Sequence, residues 1–363
     1  MEKLTHEGIE GLVPYPPGKP IEELERELGI KGSIKLASNE NPLGPSPKAL
    51  EAIKAKLSTL NRYPDGSGYY LKARLSEMLN VYPAQIILGN GSNEIIELAV
   101  RTFLLPGQEA IQPFPTFLVY EKVVAAQGGR TLSVPLKGFS VDLNGILDAI
   151  TEKTKLIFLA NPNNPTGSAF YLEDLKPFLE NIPSNTVILL DEAYIEFATD
   201  PAVASAIELA NIYPNLIVLR TFSKLYGLAG LRIGYGVSSP MLVDYMNRVR
   251  QPFNANTLAQ AAALAALDDH EFVSRTLKLT KEGLKYIKDE LDKMAIEHHP
   301  TQTNFFLIKT PLGGGKTYER MLRKGVIIRS MESFGLSDFI RINVGLPEEN
   351  QKFIQAFKEV LGL

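Results

Sequence analysis

The amino-acid sequence predicts an α/β fold, in which helices cover the mostly parallel sheet of a large domain and a smaller α+β domain follows. Three observations predict it. Strand-like and helix-like segments alternate from residue 86 to about Val237. The strand-like runs, such as residues 156–160, are apolar throughout, as in sheets covered on both faces. After a long charged helix at residues 272–294, the pattern changes to short strands and a closing helix.

Each element follows from a local signal. Residues 11–20 are rich in Pro and Gly, which predicts an extended arm. Apolar residues recur at helical spacing in residues 21–28, and Gly29 is expected to end that helix. Further helices are predicted at residues 47–57, 70–79 and 95–103, in an alanine-rich stretch after Leu258, at residues 272–294 and from Glu348. Strands are predicted at residues 86–88, 156–160, 187–190, 216–219, 305–308, 326–328 and 339–344.

The composition is that of an ordinary globular protein. Of the 363 residues, 45% are hydrophobic, so a sizeable core is available. A net charge of −3 gives no reason to expect nucleic acid or an anionic membrane as partner. The absence of cysteine excludes disulfides and thiolate metal sites, and it suits a cytoplasmic protein. No zinc site is expected, because His298 and His299 are adjacent rather than three or four residues apart. No signal peptide and no transmembrane stretch are expected.

The segment TFSKLYGLAGLR, residues 221–232, contains the most informative side chain, Lys224. It follows a predicted buried strand, and burial lowers the pKa of a lysine and frees its amine for Schiff-base chemistry. Thr221, Ser223 and Arg232 offer the hydroxyl donors and the guanidinium that hold a phosphate. Taken alone, the segment also fits a surface lysine on a glycine-rich loop.

Two other polar clusters also follow predicted strands. NPNNPTG, residues 161–167, comes after one apolar run, and DEAY, residues 191–194, comes after the next. In open α/β sheets, ligands bind beyond the carboxyl ends of the strands, so these clusters and Lys224 are expected to meet at one site. Asp191 ends an apolar strand, and a buried carboxylate needs a partner, which can be a ligand or a structural salt bridge.

Two glycine-rich segments are candidate phosphate loops. Residues 89–94 precede a predicted helix, and the N–H groups at a helix N-terminus bind phosphate well. The dinucleotide fingerprint fails there, because Glu94 occupies the third glycine position. The second segment, GGGKT at residues 313–317, lacks the first glycine of a nucleotide-binding loop, since Thr310 stands there. We interpret it as a flexible turn.

Together these segments resemble those of the fold-type-I, pyridoxal-phosphate-dependent aminotransferases, and within them the histidinol-phosphate subgroup. The NPTG, DEAY and SK…GL.G.R.G segments are typical of the aminotransferase fold. PYPPGKP at residues 14–20, LASNENP at residues 36–42 and GVIIR at residues 325–329 are typical of the subgroup. The resemblance extends nearly from end to end of the chain.

The resemblance implies a pyridoxal 5'-phosphate cofactor, for which Lys224 would be the Schiff-base lysine. Asp191 would pair with the protonated ring nitrogen, which keeps the ring able to accept electrons. Tyr194 and Asn164 would reach the ring hydroxyl, and Phe117 would stack on the ring where the family often has Tyr. A cis peptide bond is expected between Asn164 and the following proline, because cis bonds are mostly found before proline.

The same resemblance assigns the cofactor's phosphate. The residues expected to hold it are Gly91, Ser92, Asn93, Thr221, Ser223 and Arg232. Tyr63 matches a tyrosine that reaches the phosphate of the neighbouring subunit, which implies a homodimer with shared active sites. The family fold also implies a small domain formed by both chain ends. We therefore expect an arm and part of the small domain at residues 1–46, a large cofactor-binding domain at 47–253, and the remaining small domain at 254–363.

Substrate residues are also implied by the resemblance. Arg341 matches the clamp on the carboxylate of the glutamate donor, and Arg329 matches the residue that meets the substrate phosphate. Tyr15 matches a tyrosine that lines the same pocket, and Asn164 borders it. Leu43 stands where many relatives have Tyr, which is a departure from the pattern of the subgroup.

The implied activity is a transamination between histidinol phosphate and 2-oxoglutarate, which gives imidazole acetol phosphate and glutamate in histidine biosynthesis. Two neighbouring activities stay open, those of an aromatic amino-acid aminotransferase and of a threonine-phosphate decarboxylase. A third hypothesis, a cofactor-binding regulator without catalysis, is disfavoured because such proteins usually carry a basic DNA-binding module, and the sequence has none.

Overall fold

The computed structural model describes residues 4–14 and 18–363. Its α-helices are α1 (Glu7–Glu10), α2 (Ile21–Leu28), α3 (Pro47–Lys56), α4 (Tyr69–Leu79), α5 (Ser92–Phe103), α6 (Val119–Ala126), α7 (Leu143–Asp148), α8 (Leu172–Glu180), α9 (Pro240–Val249), α10 (Thr257–Leu267), α11 (His270–Lys293), α12 (Gly314–Arg323) and α13 (Pro347–Leu361). Its strands are β1 (Ile34–Lys35), β2 (Ile86–Gly89), β3 (Glu109–Phe114), β4 (Arg130–Pro135), β5 (Thr154–Ala160), β6 (Val187–Asp191), β7 (Leu216–Thr221), β8 (Gly234–Val237), β9 (Phe305–Lys309), β10 (Val326–Ile327), β11 (Arg329–Ser330) and β12 (Phe339–Asn343).

Seven strands form the main sheet, in the order β2-β8-β7-β6-β5-β3-β4. Strand β8 runs antiparallel to both of its neighbours, and the other pairs are parallel. The predicted mostly parallel sheet is therefore confirmed. Its central strands are apolar throughout because both faces are buried. Along β5, Ile157 and Leu159 belong to one hydrophobic core, whereas Leu156 and Phe158 belong to the core on the opposite face.

A smaller layer packs beside this sheet. Strands β11, β12 and β9 form an antiparallel sheet, and β1, from the N-terminal part of the chain, pairs in parallel with β10. A third hydrophobic core joins these strands to α11 and α13 through residues such as Ile342, Ile287 and Phe357. Residues that are about 290 positions apart (Ile34 and Val326) are thereby brought into one structural unit.

The polar clusters predicted at the strand ends do meet. Strands β5, β6 and β7 are parallel neighbours that end at Ala160, Asp191 and Thr221. Their carboxyl ends therefore lie along one edge of the sheet, and the segments that follow them share that edge.

Two local predictions are corrected by the structure. Helix α5 begins at Ser92 rather than at Ile95, so the supposed loop already contains the first helical turn. The GGGKT segment is not a flexible turn, because α12 begins at Gly314. A Cβ at Gly314 would lie 2.3 Å from the carbonyl oxygen of Phe339, so glycine permits the helix to start against β12. A hydrogen bond of 2.7 Å between the hydroxyls of Thr310 and Thr317 holds this start in place.

Within residues 4–14 and 18–363, no helix has both the length and the apolar character that crossing a membrane requires.

Candidate active site

Two adjoining cavities open at the carboxyl ends of β5, β6 and β7. The larger has a volume of about 490 Å³, and the smaller has a volume of about 300 Å³. Both are lined by Ser38, Phe117, Asn164, Tyr194 and Lys224. The larger cavity extends to the first turn of α5 and to Asp191, Thr221, Ser223 and Arg232, whereas the smaller extends to Arg329 and Arg341.

Lys224 lies at the boundary between the two cavities. Its side chain is partly buried, and its Nζ donates a hydrogen bond of 3.0 Å to the carbonyl oxygen of Ser38. The same nitrogen is 5.8 Å from the centre of the Tyr194 ring. Burial and, to a smaller extent, the positive charge of Arg341 lower the pKa of Lys224 to about 8, while Glu40 acts in the opposite direction. A substantial share of this amine is therefore neutral and nucleophilic at slightly alkaline pH.

Asp191 is buried at the end of β6 and faces the larger cavity. One carboxylate oxygen accepts a 3.0 Å hydrogen bond from the hydroxyl of Tyr120, and the other accepts a 3.1 Å hydrogen bond from the backbone N–H of Ala193. Burial raises the pKa of Asp191 to about 6 even though both hydrogen bonds favour the ionised form. A cationic ligand group beside this carboxylate would recover the energy that burial costs.

A cradle for an anion lies at the opposite end of the larger cavity. The N-cap of α5 is Gly91, with φ at 80°, and no side chain caps the helix there. A Cβ at Gly91 would lie 2.4 Å from Nη2 of Arg232, so the guanidinium rests directly against the helix N-terminus. Nη1 of Arg232 lies 3.5 Å from the hydroxyl of Ser223 and donates to the carbonyl oxygen of Ala229 at 3.1 Å. A helix N-terminus, a guanidinium and hydroxyl groups form the donor set that binds phosphate.

Tyr194 is held by the smaller structural layer. Its hydroxyl accepts a 2.8 Å hydrogen bond from the side-chain amide of Asn39. Asn39 has φ at 55°, and its backbone N–H donates to Oδ1 of Asn343 at 2.9 Å. The Tyr194 ring packs edge-on against Phe305 at a centroid distance of 5.1 Å. The phenol is therefore fixed between the two structural layers.

Arg341 and Asn164 are joined across the smaller cavity. Nη1 of Arg341 donates to Oδ1 of Asn164 at 2.5 Å, and Nη2 donates to the carbonyl oxygen of Ala37 at 2.9 Å. Since the Asn164 oxygen accepts from Arg341, its amide N–H groups are the end that can donate to a ligand. The predicted cis bond between Asn164 and Pro165 is present.

The structure gathers most of the predicted residues around these cavities. The larger one is lined by Ser92, Asn93, Phe117, Asn164, Asp191, Tyr194, Thr221, Ser223, Lys224 and Arg232, with Gly91 beside Arg232. Tyr63 is elsewhere: it is 82% exposed and stacks on Phe253 at 4.7 Å. Tyr15 lies outside the described residues.

Several residues that line the two cavities were not predicted from the sequence. Tyr120, which holds Asp191, lies on α6, and no local signal in the sequence marks it as a site residue. Its ring stacks on Phe158 at 4.8 Å, which fixes the hydroxyl in place. Asn39 lies in the LASNENP motif, so the motif itself was the signal, but its partner Tyr194 is 155 positions away.

The site defined by these residues combines a nucleophilic amine, a buried carboxylate, an anion cradle and two buried arginines. The chain belongs to the aminotransferase class I and II family, whose model matches residues 31–357. The resemblance predicted from the motifs is therefore confirmed, and the chain is an aminotransferase.

Proteins of one particular activity are similar to this chain over almost its full length. Histidinol-phosphate aminotransferase 1 of Nitrosococcus oceani is 46% identical over 359 residues, which cover 99% of this chain and 97% of that protein. Histidinol-phosphate aminotransferase 2 of Pseudomonas aeruginosa is 46% identical over 360 residues, which cover 99% and 98%.

Solved structures give the same picture. The histidinol-phosphate aminotransferase of Sinorhizobium meliloti, in complex with pyridoxal-5'-phosphate, has a TM-score of 0.90 at 30% identity, with 99% of this chain and 98% of that chain covered. Aspartate aminotransferase of Thermus thermophilus with maleate has a TM-score of 0.86 at 22% identity over 99% of this chain and 100% of that chain, which shows that the fold is shared. The predicted fold class, that of fold-type-I aminotransferases, is thus confirmed.

Proposed function

We propose that this protein is a pyridoxal-phosphate-dependent aminotransferase that exchanges an amino group between histidinol phosphate and 2-oxoglutarate, in histidine biosynthesis. One observation carries the proposal: Lys224 lies between a cavity with an anion cradle and a buried carboxylate, and a second cavity with two arginines. The relatives that are 46% identical over nearly the full length, and that carry this activity in their names, support the choice of substrate.

The larger cavity suits the cofactor on three grounds. The cradle formed by Gly91, Ser92 and Arg232 offers donors for a phosphate ester. Asp191 is a buried carboxylate whose ionised form a nearby cation would stabilise, which suits a protonated ring nitrogen. Lys224 lies between these two ends, and its neutral amine can form a bond to an aldehyde carbon.

Further residues would hold the ring in place. Phe117 lines both cavities and would cover one face of the ring. Tyr194 and the amide of Asn164 would donate to the ring hydroxyl, while Asn93, Thr221 and Ser223 would complete the phosphate contacts. When bound, pyridoxal phosphate supplies the electron sink that makes removal of the substrate Cα proton possible.

The chain itself must hold the reacting atoms and move one proton. Lys224 would hold the cofactor, and its free amine would take the proton from the substrate Cα as general base and deliver it, as general acid, to the carbon that receives the amino group. Its lowered pKa suits both directions, since a proton carrier works best when its pKa lies near the working pH. Asp191 would hold the charge on the ring, with Tyr120 fixing its carboxylate.

The smaller cavity must accept two unlike substrates in turn. Arg341 can form a bidentate clamp on a carboxylate, and Arg329 would meet the phosphate of histidinol phosphate. Both arginines are buried, at 6% and 8% exposed, so each interacts with an anion in a less screened environment than that of a surface arginine. Tyr15 is proposed to line the same pocket, on the basis of the family pattern.

We also propose that the protein forms a cytoplasmic homodimer, in which Tyr63 reaches the cofactor phosphate of the neighbouring subunit. Several exposed aromatic side chains in one part of the chain support an interface there: Tyr63 is 82% exposed, Tyr69 66% and Tyr70 73%. Exposed aromatic groups of this kind are enriched where proteins associate.

A half-reaction tests the proposed substrates. The purified, cofactor-loaded protein is treated with glutamate, which converts the cofactor to its amino form. The products are removed, and the protein is then mixed separately with imidazole acetol phosphate and with phenylpyruvate. Restoration of the aldehyde-form absorption should be fastest, by at least about tenfold in kcat/KM, with imidazole acetol phosphate, since only this compound offers a phosphate to Arg329.

Two other results would contradict the assignment. Faster restoration by phenylpyruvate would assign the protein to the aromatic aminotransferases. Release of CO2 from threonine phosphate, assayed in parallel, would assign it to the decarboxylases.

A further inference from the structure

A fourth cation lines the smaller cavity, and the function proposed above does not use it. Lys35 lies at the end of β1 and borders this cavity together with Lys224, Arg329 and Arg341. In the parallel pair of β1 and β10, Lys35 is opposite Ile327, two residues before Arg329. The fold therefore brings a lysine from the N-terminal part of the chain to the C-terminal arginines.

The charge of the smaller cavity is one-sided. Of the described residues that line it, four are basic and none is acidic, and three of the basic residues remain as cations when Lys224 holds the cofactor. A single carboxylate is satisfied by one bidentate arginine, whereas a phosphate monoester has three acceptor oxygens and close to two negative charges. The excess of cations therefore favours an occupant that carries a phosphate.

Lys35 has an exchangeable partner at the edge of the cavity. Its Nζ lies 3.3 Å from Oε1 and 3.2 Å from Oε2 of Glu40, whose side chain is 47% exposed. Because solvent reaches the Glu40 carboxylate, this ion pair is screened and weak, so a phosphate dianion can displace Glu40 at little cost. Glu40 lines the larger cavity and Lys35 the smaller, so the pair lies where the two cavities adjoin.

We propose that Lys35 is a further substrate-binding residue. Its ammonium group breaks the ion pair with Glu40 and binds the phosphate of the phosphorylated substrate, and it pairs with Glu40 again when the dicarboxylate substrate is bound. This inference rests on the function proposed above. It gives the site a cation that changes partner between the two half-reactions, so that one cavity serves a phosphate and a carboxylate.

The test compares two lysines in the two half-reactions. In Lys35→Met, kcat/KM for histidinol phosphate should fall about 10- to 100-fold, the range expected for one charge-assisted hydrogen bond, whereas kcat/KM for glutamate should change by less than about threefold. Lys35→Arg should recover most of the loss, because the charge is kept.

Lys19→Met is the matched control. Lys19 is also a lysine paired with glutamates, at 3.3 Å from Glu23 and 2.6 Å from Glu27, and its side chain is 20% exposed against 21% for Lys35. It does not line the cavity. Lys19→Met should leave both half-reactions unchanged. Equal losses with both substrates in Lys35→Met, or a result that matches Lys19→Met, would overturn the assignment of Lys35.

A second measurement separates this inference from the proposed function. If the unaltered protein fails to use histidinol phosphate at all, the proposed substrate is wrong. Calorimetric binding of inorganic phosphate to the cofactor-loaded protein then tests Lys35 directly. A dissociation constant that is roughly tenfold larger in Lys35→Met and unchanged in Lys19→Met supports the inference, and equal affinities of Lys35→Met and the unaltered protein overturn it.

Discussion

Arg329 and Arg341 are directly opposite each other on the antiparallel strands β11 and β12. Both are buried, at 8% and 6% exposed, and both line the smaller cavity. Like charges that face each other across a sheet repel. An anion bound in the smaller cavity would offset this repulsion.

This arrangement predicts that the two arginines separate the two substrates. Arg329→Ala should lower kcat/KM for histidinol phosphate by about 100-fold, because a buried charge-assisted contact is lost, and should lower it for glutamate by less than about fivefold. Single-turnover kinetics of the two half-reactions measure both effects. Equal losses would remove Arg329 from its proposed role as phosphate ligand.

A pair of glycine substitutions tests the anion cradle. Gly91→Ala should weaken binding of pyridoxal phosphate by about tenfold or more, because the added Cβ would lie 2.4 Å from Nη2 of Arg232 and would displace the guanidinium. Titration of the cofactor-free protein, followed by absorbance, measures the change.

Gly313→Ala is the control for that experiment. Gly313 is also a helix N-cap, with φ at 80° and ψ at 153° against 80° and 163° for Gly91, but its Cβ position meets only the carbonyl oxygen of Ser337, at 3.8 Å. Both variants carry similar backbone strain, so a loss of affinity confined to Gly91→Ala comes from the cradle. Similar losses in both would mean that strain alone is responsible.

Asp191 gives the cofactor site a pH dependence. Its pKa is raised to about 6, so in the cofactor-free protein the carboxylate is ionised above that pH and takes up a proton as the pH falls through it. If the ionised form pairs with a protonated ring nitrogen, cofactor affinity should drop between pH 7 and pH 5. Asp191→Asn should lose this pH dependence and at least about 100-fold in activity.

Folding of that variant can be checked independently. The substitution removes a buried charge, so without cofactor at pH 7.5 its thermal midpoint should be no lower than that of the unaltered protein. A normal pH dependence of cofactor binding in Asp191→Asn would contradict the role given to this carboxylate.

Lys224 makes a prediction about stability. Its pKa is lowered to about 8, so between about pH 8 and 10.5 the folded protein binds fewer protons than the unfolded chain. The cost of burying the charge is fully present below pH 8 and is removed as the pH rises through that window. Without cofactor, Lys224→Met should therefore be more stable by about 1 kcal/mol at pH 7, after allowance for partial exposure, and the gain should vanish near pH 10.5.

Thermal unfolding at the two pH values measures this difference, which corresponds to roughly 2 °C. A variant that is less stable at pH 7 would mean that the hydrogen bond from Lys224 to the Ser38 carbonyl outweighs the cost of burial.

The parts of the site that the sequence predicted share one physical reason. Parallel strands place their carboxyl ends along one edge, so polar residues after apolar runs had to meet, and Asn164, Asp191 and Lys224 do line one cavity. The alternation of apolar strand-like runs with helix-like segments indicated the fold class in the same direct way.

The parts that sequence reasoning missed depend on contacts between distant segments. The hydrogen bond from Tyr120 to Asp191 spans 71 positions, and that from Asn39 to Tyr194 spans 155. No local pattern specifies such partners, because they arise only when helix α6 and the residues after β1 pack against the sheet. The GGGKT segment was misjudged for the same reason, since the strand that its helix packs against is β12.

The most direct test of the proposed function is the identity of the lysine that carries the cofactor. The purified protein is mixed with pyridoxal phosphate, reduced with borohydride, digested and analysed by mass spectrometry. We expect a phosphopyridoxyl group on the peptide that contains Lys224, at close to one per chain, and none in Lys224→Ala, which should also have no transaminase turnover. Stoichiometric labelling of another lysine, or normal turnover by Lys224→Ala, would contradict it.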